Sequence, residues 1–169
     1  MTTVTLTEGE IYELATTCLL SNGCDEANAA AAARTISSAE RDGAMSHGLF
    51  RLPGYVASLR SGKVNGQAVP KHEQLTASAI RIDGDRGYAP LAIEYGTPLL
   101  AAAAAETGVA VLLIRNSFHF AALWPEVEAL AEQNLVGLAC TVNLPTVAPF
   151  GAKTAFFSTN PIAFAYPRP

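Results

Sequence analysis

Two short apolar runs rich in β-branched residues, 109–114 and 135–142, limit the fold most, because each follows a stretch with helical spacing. Uninterrupted apolar runs of this length have the pattern of strands covered on both faces. The segments before them, 90–107 and 121–133, carry helix signals: Gly108 stands as a stop for the first, and Pro125 falls near the start of the second. Residues 79–83 alternate as a strand, closed by the turn sequence Gly84-Asp85-Arg86-Gly87. Residues 155–166 mix short strand-like pieces with Thr159-Asn160-Pro161. Strands alternating with helices predict a mixed α/β fold over the back half of the chain.

The front half reads differently. Thr7 and Glu10 have the spacing of a capping box, followed by apolar residues at helical intervals (Ile11, Leu14, Ala15, Cys18, Leu19) and the stop Asn22-Gly23. A second helix is expected from Asp25 to about Arg41, ending at Asp42-Gly43, and its five consecutive alanines, Ala29 to Ala33, favour close approach of a neighbouring helix. A third helical stretch is expected over 46–60, with Pro53 either kinking it or marking a fresh start. The change of pattern after Gly66 divides the chain into a helical N-terminal region, 1–66, and an α/β region, 67–169. Pro167-Arg168-Pro169 follows a strand-like segment with no closing helix, so the chain reads as ending mid-fold.

Composition narrows the function. The formal net charge is −4 and Lys and Arg are not clustered, which argues against a nucleic-acid partner bound through its phosphates. The longest apolar stretch, 91–114, is broken by Glu94, Gly96, Pro98 and Glu106, so no transmembrane helix is expected, and the N-terminus lacks the form of a secretory signal. Half of the residues are apolar, but 31 of them are alanine and bury little surface each. Cys18, Cys24 and Cys140 are odd in number and have no CxxC spacing, which disfavours a disulfide framework. A soluble cytoplasmic protein is expected.

Three histidines are present: His47, His72 and His119. His72 falls in a polar stretch, 70–74, read as a solvated loop. His47 lies in Glu40-Arg41-Asp42-Gly43-Ala44-Met45-Ser46-His47-Gly48-Leu49-Phe50-Arg51, where ionisable groups surround small residues. On a helix capped by Ser46, His47 and Arg51 would share one face, placing a titratable proton donor one turn from a cation able to grip a carboxylate. The same spacing also suits an exposed helix start, with Ser46 merely a cap and Arg51 solvated. A nucleophile elbow lacks its first glycine, and adjacent helical Ser46 and His47 would point about 100° apart, which disfavours a serine hydrolase. Asp42 and His47 lack metal-ligand spacing, so no metal site is expected. His119 directly follows the strand 109–114, either lining a ligand crevice or buried among Phe118, Phe120 and Trp124. No G-x-G-x-x-G follows any strand, so a Rossmann dinucleotide loop is not expected.

Three ordered segments carry a resemblance: Asp42-Gly43 with Ser46-His47-Gly48-Leu49-Phe50-Arg51-Leu52-Pro53-Gly54-Tyr55; Asn116-Ser117-Phe118-His119-Phe120; and Ser158-Thr159-Asn160-Pro161. Together they resemble the malate/L-lactate dehydrogenase-like oxidoreductases, a family distinct from the Rossmann-type enzymes, over about the first half of a typical member. The stretch from Phe118 to Glu126 is most similar to the branch that reduces Δ1-piperideine-2-carboxylate and Δ1-pyrroline-2-carboxylate; many hydroxy-acid members carry glycine near Ala121, and this departure favours that branch. The resemblance implies an α/β fold particular to this family and a homodimer. It implies NADPH as cofactor, with NADH an alternative, and a cyclic imino acid reduced to L-proline or L-pipecolate. His47 would be the proton donor and Ser46 part of its relay, the relay's acidic member lying outside this chain. Arg51 would hold the substrate carboxylate, with Thr159 a second contact, while His119, Phe120, Ala121, Ala122 and Leu123 would line the cofactor site. A 2-hydroxy-acid dehydrogenase is the alternative within the family. From another class, the chain would be an incomplete structural lobe needing a separate chain that supplies the missing C-terminal half.

Overall fold

Thr7 opens the chain's first helix as its sequence requires: the Glu10 amide donates to Thr7 Oγ1 at 3.2 Å, and the Thr7 amide donates to Glu10 Oε2 at 2.7 Å. The computed structural model describes residues 4–118 and 121–168. Helix α1 (Glu8–Leu20) ends at Gly23 with φ +101°, and α2 (Glu26–Arg41) begins under an Asp25 side chain that accepts from the Asn28 amide at 2.8 Å. Ile11, Ala15 and Leu19 of α1 pack with Ala29, Ala32, Ala33 and Ile36 of α2 in one buried cluster. Methyl side chains let the two backbones approach, so the alanine run forms the helix interface the sequence predicts.

The third stretch differs from its expectation. Residues 45–48 form turns, Leu49–Arg51 make a single 3-10 turn, and α3 is confined to Leu52–Arg60 with Pro53 in its first turn. Pro53 thus marks a fresh helix start, because its ring is compatible with the first turn but not with a helix interior. His47 and Ser46 therefore stand on a loop, not on a helix.

A three-stranded sheet follows, ordered β1 (Lys71–Thr76), β2 (Ala79–Asp83), β3 (Val111–Arg115). β1 pairs antiparallel with β2 in the register Lys71↔Asp83, and β2 pairs parallel with β3 in the register Ala79↔Val111. Helix α4 (Ala89–Thr107) provides the crossover and stops at Gly108, φ +81°. Gly96 lets α4 lie close to the sheet, since a Cβ there would come 2.7 Å from Leu112 Cδ2. β1 takes up 71–74 of the stretch read as a loop: every residue of the strand is exposed, so no alternation betrays it, and charged side chains blunt a sheet edge. His72 is exposed as expected, and its Nδ1 lies 2.7 Å from Tyr95 Oη. β3 is not covered on both faces: α4 shields one side, and Val111 and Leu113 are exposed on the other.

Compactness divides the chain into Met1–Ala122 and Leu123–Pro169, beyond the pattern change at Gly66, because α4, which covers the sheet, also packs on α2. Asn28 Nδ2 of α2 donates to Ala68 O at 3.0 Å, tying the two patterns together. In the second unit, α5 (Trp124–Ala131) packs on an antiparallel pair, β4 (Gly137–Cys140) and β5 (Ile162–Ala165). Gly137 faces α5, where a Cβ would meet Val127 at 3.1 Å, while Leu138, Cys140, Ile162 and Phe164 form the exposed opposite face. β4, too, was expected to be buried on both sides and is covered on one.

Candidate active site

The loop between α2 and α3 is fixed by backbone bonds at both ends. The left-handed Gly43, φ +73°, ends α2; the Ala44 amide donates to Ala39 O at 2.8 Å, and the Arg51 amide donates to Gly48 O at 2.9 Å. Between them, the His47 amide donates to Ala44 O at 2.8 Å. The loop thus presents its side chains from a defined turn.

Ser46 joins the two groups of interest. Its Oγ lies 2.9 Å from His47 Nδ1, and its carbonyl accepts from Arg51 Nε at 2.7 Å. This overturns the expectation that neighbouring Ser46 and His47 diverge: that angle holds on a helix, and the turn conformation removes it. His47 and Arg51 share no helical face; what links them is that each bonds to Ser46. Both are half-buried, beside an exposed Ser46. Burial, and after it the Arg51 charge, holds the His47 imidazole below its ordinary value. Arg51 is anchored through Nε, and the two terminal amino groups of a guanidinium can still pair end-on with a carboxylate.

Glu40 is the residue that sequence reading missed. Its Oε1 accepts from the Leu49 amide at 2.7 Å across nine positions of the chain. A Cβ on Gly48 would overlap that carboxyl group, lying 2.6 Å from Glu40 Cγ. Neither periodicity nor spacing links positions 40 and 48; only the acidic residue at the end of a helix running into a glycine-bearing loop hints at it.

The other expected site residues distribute as follows. Ala121 and Ala122 are buried in the first unit, whereas Leu123 is the N-terminal cap of α5, without a side-chain capping bond. His119 and Phe120 lie outside the described residues. Thr159 belongs to the second unit, exposed on the segment leading into β5. Ser158, beside it, has a shielded Oγ with no hydrogen-bond partner among the described residues. Glu126, in the first turn of α5, has a shielded Oε2 that likewise lacks a partner among the described residues, and burial pushes its carboxyl up to about 7. Phe118 is held by backbone bonds to Gly87 and Ala89, at 2.8 and 2.9 Å, which fixes the exit of β3 toward the expected cofactor segment. Among the described residues, no three metal-ligating side chains gather in a group, and no helix is long and apolar enough to cross a membrane.

Comparison with known proteins adds to this geometry. The chain is 48% identical over 158 residues to a Δ1-pyrroline-2-carboxylate/Δ1-piperideine-2-carboxylate reductase of Pseudomonas putida, covering 94% of this chain and 46% of that protein. It is 45% identical over 166 residues to a Δ1-pyrroline-2-carboxylate reductase of Burkholderia multivorans, covering 98% and 49%. Among solved structures, the Δ1-piperideine-2-carboxylate reductase of Pseudomonas syringae pv. tomato superposes with a TM-score of 0.93 at 44% identity, over 98% of this chain and 50% of that one. A malate dehydrogenase of Pyrococcus horikoshii superposes with a TM-score of 0.90 at 29% identity, over 97% and 47%. The chain therefore spans about half the length of the relatives it matches. The model of the malate/L-lactate dehydrogenase family matches residues 6–169, and on that match, with its mixed α/β fold shared by solved members, the chain belongs to this family.

Proposed function

We propose that this chain forms the proton-donor half of an NADPH-dependent reductase that converts a cyclic 2-carboxy imine, Δ1-pyrroline-2-carboxylate or Δ1-piperideine-2-carboxylate, to L-proline or L-pipecolate. The observation that carries this reading is the joint anchoring of His47 and Arg51 on Ser46, in a chain 40–48% identical to seven reductases named for these imines.

Arg51 receives the substrate carboxylate in this proposal, leaving the ring nitrogen near His47. The incoming anion offsets the Arg51 charge that opposes protonation of the imidazole, so substrate binding favours the loaded, cationic His47. Ser46 Oγ then accepts from Nδ1–H, and Nε2–H is the proton delivered to the imine nitrogen. The nicotinamide cofactor, when bound, supplies the hydride to the adjacent carbon. The cofactor segment is assigned to His119, Phe120, Ala121, Ala122 and Leu123: the two alanines carry only methyl groups, and the first turn of α5 has no side-chain cap, which suits contact through backbone groups. NADPH is preferred over NADH here by resemblance alone. Thr159 is assigned a second contact to the carboxylate. In this scheme 1–66 carries the proton donor, 67–169 contributes to the cofactor site, and the enzyme is a cytoplasmic homodimer.

The test is NADPH oxidation by the complete enzyme containing this chain, with both imines, pyruvate and oxaloacetate in parallel. Turnover of the imines supports the proposal. Turnover of only the oxo acids would replace it with a 2-hydroxy-acid dehydrogenase, a reading favoured by the likeness to a malate dehydrogenase. If no substrate is turned over until a second polypeptide equal to the relatives' remaining half is added, the chain is a lobe of a two-chain enzyme.

A further inference from the structure

We propose that Glu40 is the positioning residue of the proton-donor loop, acting through Leu49 and the space left open by Gly48; this deepens the reading above and rests on it. Glu40 sits in the last turn of α2, between the buried Ala39 and the chain's exit into the loop, so its backbone is held by the helical core. From there its side chain crosses to the far end of the loop and binds the first amide of the 3-10 turn. That amide has no other cap, because the capping position is Gly48 and offers no side chain. Gly48 is also the buried residue within 41–51, and it is buried under the Glu40 side chain. The carboxylate thus fills the volume that any larger residue at 48 would take.

This has a mechanical consequence. The loop's near end is tied to α2 by the Ala44 amide, and its far end is tied to the same helix by Glu40. Ser46 and His47 lie between these two ties, and Arg51 closes the 3-10 turn that Glu40 caps. Releasing the far tie lets the whole turn rotate about its near end, so His47 and Arg51, still joined through Ser46, are displaced together while the α2 core stays in place. The role asks only for a hydrogen-bond acceptor of glutamate length, not for a negative charge.

The experiment compares Glu40→Ala, Glu40→Gln, Gly48→Ala and the Glu40→Ala/Gly48→Ala pair in the complete enzyme. Misplacing reacting groups by about 1 Å costs on the order of a hundredfold, so kcat/KM is expected to fall about ten- to a hundredfold in Glu40→Ala and in Gly48→Ala. Glu40→Gln keeps the acceptor and is expected to retain most of that activity. Because Gly48→Ala acts by displacing Glu40, it should add nothing in the Glu40→Ala background, and the affinity for NADPH should be unchanged throughout. Amide hydrogen exchange at Leu49 should accelerate in Glu40→Ala and Gly48→Ala but not in Glu40→Gln. Activity of Glu40→Ala within about twofold of the parent, or losses that multiply fully in the double variant, would overturn the proposal. Exchange at Leu49 needs no substrate, so an amide that stays protected in Glu40→Ala overturns it even for an enzyme that reduces no imine, the result that would overturn the reductase reading instead.

Discussion

Arg51 Nε and the Ser46 carbonyl are 2.7 Å apart, and that bond converts a spacing of five residues into a fixed placement of the guanidinium beside His47. The Ser46 hydroxyl, 2.9 Å from His47 Nδ1, fixes the imidazole from the same residue. One serine thereby sets the relative orientation of the two groups through its main chain and its side chain separately, and substitutions can take the two functions apart.

Ser46→Ala removes the hydroxyl and leaves the carbonyl. Losing one hydrogen bond to a cationic imidazole costs about 1.5–3 kcal/mol, so kcat should fall about ten- to a hundredfold while KM for the imine changes little. Steady-state kinetics with the imine that is turned over decides this; a raised KM with unchanged kcat would move Ser46 out of the relay.

Arg51→Lys keeps the charge and loses the fork. KM should rise about tenfold or more, since a point charge cannot reproduce two parallel bonds to a carboxylate. An unaltered KM would assign carboxylate recognition to another residue.

The His47 titration follows from the same pair. Burial is the larger cause of its depressed pKa and Arg51 the smaller. Arg51→Gln should therefore raise the His47 pKa without returning it fully to the ordinary value. Adding L-proline, whose carboxylate offsets Arg51, should raise it in the parent enzyme and much less in the variant. Imidazole signals followed by NMR across pH give both shifts; a His47 pKa indifferent to Arg51→Gln would separate the two groups.

Glu126 makes stability fall as pH rises. Its carboxyl titrates at about 7 in the folded chain against 4.5 as the reference, so from about 4.5 upward the unfolded chain loses this proton while the folded chain retains it. Between those values the unfolded state is progressively favoured, and above 7 the cost is complete, at most about 3 kcal/mol. Glu126→Gln should raise the melting temperature at pH 8 and leave it unchanged near pH 4. Equal shifts at both pH values would show that packing, not ionisation, is what the substitution changes.

Ala32 tests the helix interface. It is fully buried between α1 and α2, and Ala32→Leu should destabilise by about 1–3 kcal/mol through overpacking. Ala27→Leu, on the exposed side of the same helix, should stay within about 0.5 kcal/mol in denaturant titrations.

Local chemistry by itself determined several of the helix ends. The Thr7–Glu10 box, the stops at Gly23, Gly43 and Gly108, and Pro53 at the start of α3 are each set by a residue's own backbone freedom or by a partner three positions away. The loop motif around His47 and Arg51 was legible for the same reason, as residue types close in sequence. Tertiary structure alone decided the rest. β1 pairs its exposed, charged residues with β2 because an edge strand is selected by its neighbour and not by its own hydrophobicity. Which faces of β3 and β4 are covered depends on where α4 and α5 lie. The Glu40–Leu49 bond joins the end of a helix to a turn nine residues away, a distance at which sequence spacing carries no geometry until the loop between has folded back.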